Sequence, residues 1–173
     1  MPESENQENI HADSSFKKID AHLPEYIKEA RKQEHEPTIL KDVTDYFQRR
    51  ADAHKKVSRE MKEEGHKKAS EYYQGEADHF QRIVDSINSP EKSYAYSQIY
   101  TMREAHANYV RTRESALERL KGDERRNYLK SDFGAKYIDS RRAFAYMYDR
   151  FAFLVSEATG GQIKHVPLNL PKK

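Results

Sequence analysis

Apolar residues recur every three or four positions along most of this chain, which is the spacing of an amphipathic α-helix. The clearest stripe runs from Leu40 to Met61, and a second one runs from Ile99 to Leu120. Gly65 follows the first stripe and marks a turn, so the helices on either side of it are expected to form an antiparallel hairpin. Each stripe is narrow, which predicts that a helix meets its neighbour along one face.

Proline and glycine stand where these helices are expected to begin and end. Pro37 opens the helix of the first stripe, and Ser89-Pro90-Glu91 is a start signal for the helix of the second. Gly122 and the pair Gly160-Gly161 each mark a helix end. The predicted helices cover residues 14–30, 37–61, 69–87, 90–120, 124–133 and 135–159.

The last of these helices differs from the others because apolar residues surround its axis. Between Ala143 and Val155, only Asp149 and Arg150 are charged. Such a helix is usually central and buried, so the other helices are expected to pack around it. The predicted fold class is all-α, a single antiparallel helical bundle of five or six helices.

The two ends of the chain lack a helical pattern. Residues 1–13 are polar and acidic, which predicts a disordered arm, and residues 14–160 form the expected bundle domain. In the tail, residues 161–173, two prolines accompany the alternating apolar residues Val166, Leu168 and Leu170, so it is expected to be extended. The tail either lies in a groove of the bundle or contacts a partner.

Composition indicates a folded and strongly solvated protein. Leu, Ile, Val and Phe contribute only 30 of the 173 residues, but 12 Tyr add core material, and 31 basic residues nearly balance 29 acidic ones. The chain has no Cys, which excludes disulfides and thiolate nucleophiles. No membrane span or signal peptide is recognisable, so a cytoplasmic location is expected, although signal-independent export is compatible with the same composition.

Several polar residues occupy stripe positions where apolar ones are expected. Because a buried charge is costly unless it is paired, these groups should contact one another or line a wet cavity. The first possibility makes them devices that fix helix register, and the second makes them a polar pocket inside the bundle. The predicted buried polar residues are Arg50, His54, Glu76, His106 and Arg113.

The sequence gives little support for catalysis or metal binding. Glu76-x-x-His79 is half of the motif of di-metal bundles, and Gly65 interrupts the only second copy, so Glu76 and His79 are weak metal candidates. Nucleophile elbows and phosphate-binding glycine patterns are missing. We therefore expect a non-enzyme without a cofactor.

The remaining features favour binding to other macromolecules. Residues 119–142 carry eight basic and four acidic residues, and aromatic residues crowd the last helix. The leading hypothesis is a non-enzymatic protein-interaction module, an adaptor or accessory subunit of a larger multiprotein assembly. The alternatives are a nucleic-acid-binding accessory protein, a ferritin-like metal-binding bundle, and a secreted effector or regulator. The predicted interaction residues are Arg125, Arg126, Arg141, Arg142, Tyr146, Val166, Leu168 and Leu170.

Overall fold

The computed structural model describes residues 38–130 and 135–170, and in this part of the chain it contains five α-helices and no β-strand. The helices are α1 (Leu40–Glu63), α2 (Lys67–Ile87), α3 (Ser93–Arg119), α4 (Gly122–Lys130) and α5 (Ala135–Glu157). The all-α prediction is confirmed for these residues. The predicted arm at 1–13 and the predicted helix at 14–30 lie outside the described residues.

Helices α1 and α2 form the predicted hairpin around Gly65. This glycine adopts a φ of 84°, a left-handed conformation that costs glycine little, and the next residue, His66, donates its N–H to the carbonyl of Met61 at 2.8 Å. Residues early in α1 contact residues late in α2, as Gln48 does with Gln81 at 3.0 Å. The two helices are therefore antiparallel.

Helix α3 begins later than the Ser89-Pro90-Glu91 signal predicted. Its first residue is Ser93, because Ser89 bonds to the backbone of Glu91 instead of to a helical N–H. The carboxylate of Glu91 accepts the N–H of Ser93 at 2.8 Å and so satisfies a donor at the positive end of the helix. The predicted start is therefore wrong by three residues.

Helices α3 and α5 form the second close pair. Arg103 contacts Asp149, and Glu114 contacts Arg142, so partner numbers fall along α5 as they rise along α3, and the two helices are antiparallel. Smaller contacts join α2 to α3 and α1 to α5. Helix α5 packs mainly on α3. It is therefore less central than predicted, because the other helices do not surround it evenly.

Aromatic rings fill the space between the two helix pairs. Phe47 of α1 is fully buried, and its ring centroid lies 6.0 Å from that of Phe80, 6.4 Å from that of Tyr148 and 5.9 Å from that of Phe151. Tyr46 joins the same cluster and bonds the hydroxyl of Tyr148 at 3.2 Å. This packing shows how aromatic residues replace the scarce aliphatic ones in the core.

Candidate functional site

A fully buried arginine stands in the contact face of α3. The predicted stripe on this helix passed through Met102 and His106, whereas the buried residues are Ala95, Ile99, Arg103, Ala107 and Val110. Arg103 is 1% exposed, which makes it the largest fully buried side chain among the described residues. A charge this deep requires partners on several sides.

The guanidinium of Arg103 bonds to two carboxylates. It donates to Asp149 of α5 at 2.7 Å and to the adjacent Glu104 at 3.1 and 2.9 Å, while its charged carbon lies 4.4 Å from the ring centroid of Tyr100. Arg111 donates to the other oxygen of Glu104 at 3.4 Å. Two arginines thus face two carboxylates, and the formal charges of the cluster cancel.

The same guanidinium also holds the C-terminal tail. Arg103 donates to the carbonyl of Val166, and the N–H of Val166 donates to the hydroxyl of Tyr96 at 3.1 Å. The Tyr96 hydroxyl in turn faces His165 Nδ1 at 3.4 Å, and His165 Nε2 lies 3.0 Å from Asp149, which completes a closed circuit. We call Tyr96, Arg103, Glu104, Asp149, His165 and Val166 the Arg103 network. It satisfies both main-chain groups of Val166.

The tail lies in a groove between α3 and α5, and we refer to residues 163–170 as the docked tail. Ser156 donates to the carbonyl of Ile163 at 2.6 Å, and Tyr146 donates to the carbonyl of Leu170 at 3.0 Å. Leu170 is 7% exposed. Three of the predicted interaction residues therefore make contacts within this chain: Tyr146 bonds to Leu170, and Leu168 packs beside them.

A second polar cluster lies between the two helix pairs, around His106. Its ring stacks on Phe144 and Tyr148, with centroids 5.0 and 5.5 Å away, and Arg141 donates to His106 Nδ1 at 3.1 Å because a guanidinium can only donate. Burial, together with the charges of Arg141 and Arg50, lowers the pKa of His106 to about 3. The ring is therefore neutral, with its proton on Nε2, throughout the physiological range.

The five predicted buried polar residues lie at different depths. His54 is buried, with Nδ1 2.7 Å from the carbonyl of Arg50, and burial lowers its pKa. Arg50, Glu76, His106 and Arg113 are partly exposed. Arg50 donates to the Tyr46 hydroxyl at 2.9 Å, whereas Arg113 lies over the ring of Tyr109, 5.1 Å from its centroid. The charge of Arg50 lowers the pKa of both His54 and His106, and that of Glu76 raises the pKa of His54, so these four residues lie close enough to interact.

The basic segment presents fewer charges to solvent than its sequence suggests. Arg125 and Arg126 of α4 are exposed, and Arg126 pairs with Asp123. Arg142 is 8% exposed and contacts Glu114, while Arg141 points to His106. Two of the four predicted interaction arginines therefore make contacts within the α3–α5 pair.

Four large hydrophobic side chains of the described residues are exposed, and two of them lie at the Arg103 network, Val166 as a member and Phe153 in contact with His165. They are 49% and 44% exposed, respectively, and the other two are Ile39 and Tyr72. The ring of His165 is 5.7 Å from that of Phe153 and 6.2 Å from that of Tyr96, which is 6.1 Å from that of Tyr100. We call Tyr96, Tyr100, Phe153, His165 and Val166 the aromatic surface.

A shallow cleft of about 600 Å³ lies at the hairpin end of α1 and α2. It is lined by Ser58, Arg59, Lys62, Gly65, Lys67, Ser70, Glu71 and Gln74. The two serines bond to each other, with Ser58 Oγ 2.7 Å from the carbonyl of Ser70 and Ser70 Oγ 2.8 Å from that of Ser58. The cleft thus has a closed polar floor and a rim of flexible charged side chains.

The described part of the chain holds no group of three or more His, Asp or Glu side chains placed to bind a metal ion. Glu76 and His79 are both partly exposed, and the ring of His79 lies 5.7 Å from that of Phe80. No helix within residues 38–130 and 135–170 has the length and hydrophobicity that crossing a membrane requires.

Comparison with known proteins gives no match to any family model, curated protein or solved structure.

Sequence reasoning missed the central residue of the site, Arg103. The signal for its partner was present, since Asp149 and Arg150 are the only charges in the most apolar stretch of α5. The four-residue spacing of Ile99, Arg103 and Ala107 also places them on one helix face. These two observations together point to an ion pair between α3 and α5.

Proposed function

We propose that this chain is a non-enzymatic protein-interaction module, an adaptor or accessory subunit, built on a single antiparallel bundle. The observation that carries the proposal is the aromatic surface. It joins the exposed ring of Phe153, through His165, to the partly exposed rings of Tyr96 and Tyr100, and the half-exposed Val166 follows His165 in the chain. Aromatic side chains give protein interfaces much of their binding energy, because they bury a large area and lose little conformational entropy.

The scaffold beneath this surface supports the same interpretation. The ring of His165 lies between Asp149 and the hydroxyl of Tyr96. The main chain of Val166 is held by the hydroxyl of Tyr96 and by Arg103. A surface whose side chains are already fixed loses less entropy when a partner binds. The Arg103 network thus has a structural role, which is to hold aromatic side chains in place for contact with a partner.

The proposal is tested by site-specific crosslinking. A photo-crosslinking amino acid replaces Phe153 in the full chain and, as a matched control, replaces Tyr72, which is similarly exposed at 52% but lies on α2. Both proteins are illuminated in an extract of the organism that produces the chain. We expect a protein that crosslinks at position 153 and not at position 72.

The crosslinked protein is then purified and its affinity measured directly. Phe153→Ala is expected to weaken binding about tenfold or more, as truncation of a central interface aromatic does, whereas Tyr72→Ala leaves it unchanged. Identical crosslinking patterns at the two positions, or equal affinity of the two alanine variants, contradict the assignment of the aromatic surface as the interface.

A further inference from the structure

The cleft at the hairpin end of the molecule lies along the seam between α1 and α2. On α1 it is lined by Arg59 and Lys62, three residues apart, and on α2 by Lys67 and Glu71, four residues apart. Side chains at these two spacings project from the same face of a helix. The charged groups of both helices therefore border a single depression.

Three of the four charged side chains in this lining are cationic. Arg59 and Lys62 extend from α1 and Lys67 from α2, whereas Glu71 is the single carboxylate of the lining. Lys67 Nζ lies 4.0 Å from Glu71 Oε1. Neither Arg59 nor Lys62 forms an ion pair with another residue of the ranges that the structure describes. Three positive charges and one negative charge leave the lining with a net charge of +2.

The floor of the cleft offers no hydroxyl proton to a ligand. Ser58 Oγ donates to the carbonyl of Ser70, and Ser70 Oγ donates to the carbonyl of Ser58. Because a serine hydroxyl has one proton, both protons are already used. Hydrogen bonds to a bound molecule must therefore come from the rim, where guanidinium and ammonium groups are strong donors to charged oxygen atoms.

The start of α2 adds positive character to this end of the cleft. Lys67 is the first residue of α2, and the first turn of the helix contains no acidic residue. An acidic group is favoured at this position and a lysine is not, because the N-terminus of a helix carries a partial positive charge. The carboxylate of Glu64, in the turn, lies 3.8 Å from His66 Nε2 and is outside the lining. A bound anion therefore compensates positive charge from the side chains and from the helix.

The volume and the charge of the cleft match a small anion that carries an organic part. At about 600 Å³, the cleft falls within the range of about 300 to 1,000 Å³ that is typical of small-molecule sites. A phosphate monoester carries about 1.5 to 2 negative charges at pH 7 and three acceptor oxygens. These values correspond to the net charge of the lining and to its three cationic donors.

We propose that this cleft is a binding site for a small, soluble phosphate monoester, whose phosphate lies between Arg59, Lys62 and Lys67. A nucleic acid fits less well, because its phosphates repeat along a strand and the exposed carboxylates of Glu63 and Glu64 beside the turn repel those outside the cleft. The site belongs to α1 and α2, whereas the aromatic surface belongs to α3, α5 and the docked tail. It is therefore a second binding function, independent of the protein-interaction role.

Titration of the isotope-labelled full chain with adenosine monophosphate, followed by NMR at constant ionic strength, tests the site. The reporter is the backbone amide of Gly65, which lines the cleft, and the internal control is that of Gly160, beyond the end of α5. We expect the Gly65 signal to shift saturably and the Gly160 signal to stay in place. Adenosine lacks the phosphate and should shift neither signal.

Single substitutions at exposed positions separate a specific site from general attraction to a charged surface. Lys62→Gln and Lys67→Gln are each expected to weaken binding about tenfold, the usual effect of losing a hydrogen bond to a charged group. Glu71→Gln removes the one carboxylate of the lining and should strengthen binding several-fold. Lys56→Gln is the matched control, because Lys56 is an exposed lysine of α1 outside the lining, and it should leave the affinity unchanged.

Circular dichroism establishes that each variant retains its helices, and Arg59→Gln replaces either lysine variant of the lining if that variant does not. The proposal is overturned if the Gly65 signal does not shift, or if Lys56→Gln weakens binding as much as Lys62→Gln. Vesicles that contain phosphatidic acid present the same monoester on a lipid, and binding to them without competition from adenosine monophosphate also overturns it. Crosslinking at position 153 involves other helices, so the failure of either proposal leaves the other intact.

Discussion

The two helix pairs are held together by different kinds of polar contact. Across α1 and α2, the hydrogen bonds of Ser58 with Ser70 and of Gln48 with Gln81 join neutral groups, and a single guanidinium, that of Arg50, lies over the ring of Phe80 at 4.8 Å from its centroid without an ion pair in the contact. Across α3 and α5 they are between charged groups, and the tail takes part in them. The first pair consists of neighbours in the chain joined by a tight turn, whereas α4 separates the members of the second pair.

This difference shows what a buried charge adds to a helix pair. Neutral serines tolerate small errors of alignment, but Arg103 has to meet Asp149, Glu104 and the carbonyl of Val166 at once. A misaligned α3–α5 pair leaves that charge buried without partners, which is strongly unfavourable. The network therefore specifies one register for the helices and one path for the tail.

Removal of the buried charge should cost the most stability. Arg103→Met leaves Asp149 and Glu104 without their shared partner and is expected to lower the free energy of unfolding by about 3 kcal/mol. Arg59→Met, at an exposed position of α1, is the control and should change it by less than about 0.5 kcal/mol. Urea denaturation measures both, and equal losses would show that the Arg103 network does not stabilise the second pair.

Acid should destabilise the chain through His106. This residue has a pKa of about 3 when folded and about 6.5 when unfolded, so between these values only the unfolded chain takes up the proton. The free energy of unfolding should therefore fall as the pH falls, by about 2 kcal/mol for this group between pH 7 and pH 5. His54, whose pKa burial also lowers, acts in the same direction.

His106→Phe keeps an aromatic ring against Phe144 and Tyr148 but removes the titrating group. Urea midpoints at the two pH values should differ less for this variant than for the unaltered chain. If both proteins lose the same stability on acidification, His106 is not the group responsible.

The serine contact of the first pair should contribute less. Ser58→Ala and Ser70→Ala are each expected to cost about 1 kcal/mol, the usual value of a buried hydrogen bond between neutral groups. The double variant should lose less than the sum of the two, because the two hydroxyls also contact each other at 3.1 Å and either single variant removes that contact. Ser97→Ala, at an exposed position of α3, is the control. Additive losses would contradict the shared contact.

Two glycines of the first pair should respond with opposite signs. Gly75 lies inside α2, and a Cβ there meets no atom within 4 Å, so Gly75→Ala is expected to gain about 0.5 to 1 kcal/mol. Gly65 has a φ of 84°, so Gly65→Ala should destabilise the turn. Thermal unfolding of the two variants gives the comparison, and a shift of the same sign in both would refute it.

The first pair could be predicted closely from the sequence, and the second only in outline. Gly65 marked the hairpin, and the helix predicted for residues 69–87 began two residues after the observed start at Lys67. Helix α5 starts at Ala135 as predicted and ends at Glu157, two residues early. Such features depend on residues that are near one another in the chain, where spacing and turn chemistry are informative.

The site itself was less accessible to prediction because its contacts are remote. Arg103 meets Asp149 and Val166, which are 46 and 63 residues further along the chain. The stripe of apolar residues predicted helix α3 but placed Met102 and His106 at the centre of its buried face, where Arg103 lies instead. An arginine is normally assigned to the surface, and only the positions of its partners reveal that it can be buried.

The contact between Arg103 and Val166, which are far apart in the chain, also has a consequence for the order of folding. The Ser58–Ser70 contact closes a loop of 12 residues, whereas the contact of Arg103 with Val166 closes one of 63. The longer loop costs about 1.5 kcal/mol more chain entropy to close. The α1–α2 hairpin should therefore form early, and the hydrogen-bond circuit through Val166 should close after α3 and α5 have met. On unfolding, it should be among the first parts of the chain to open.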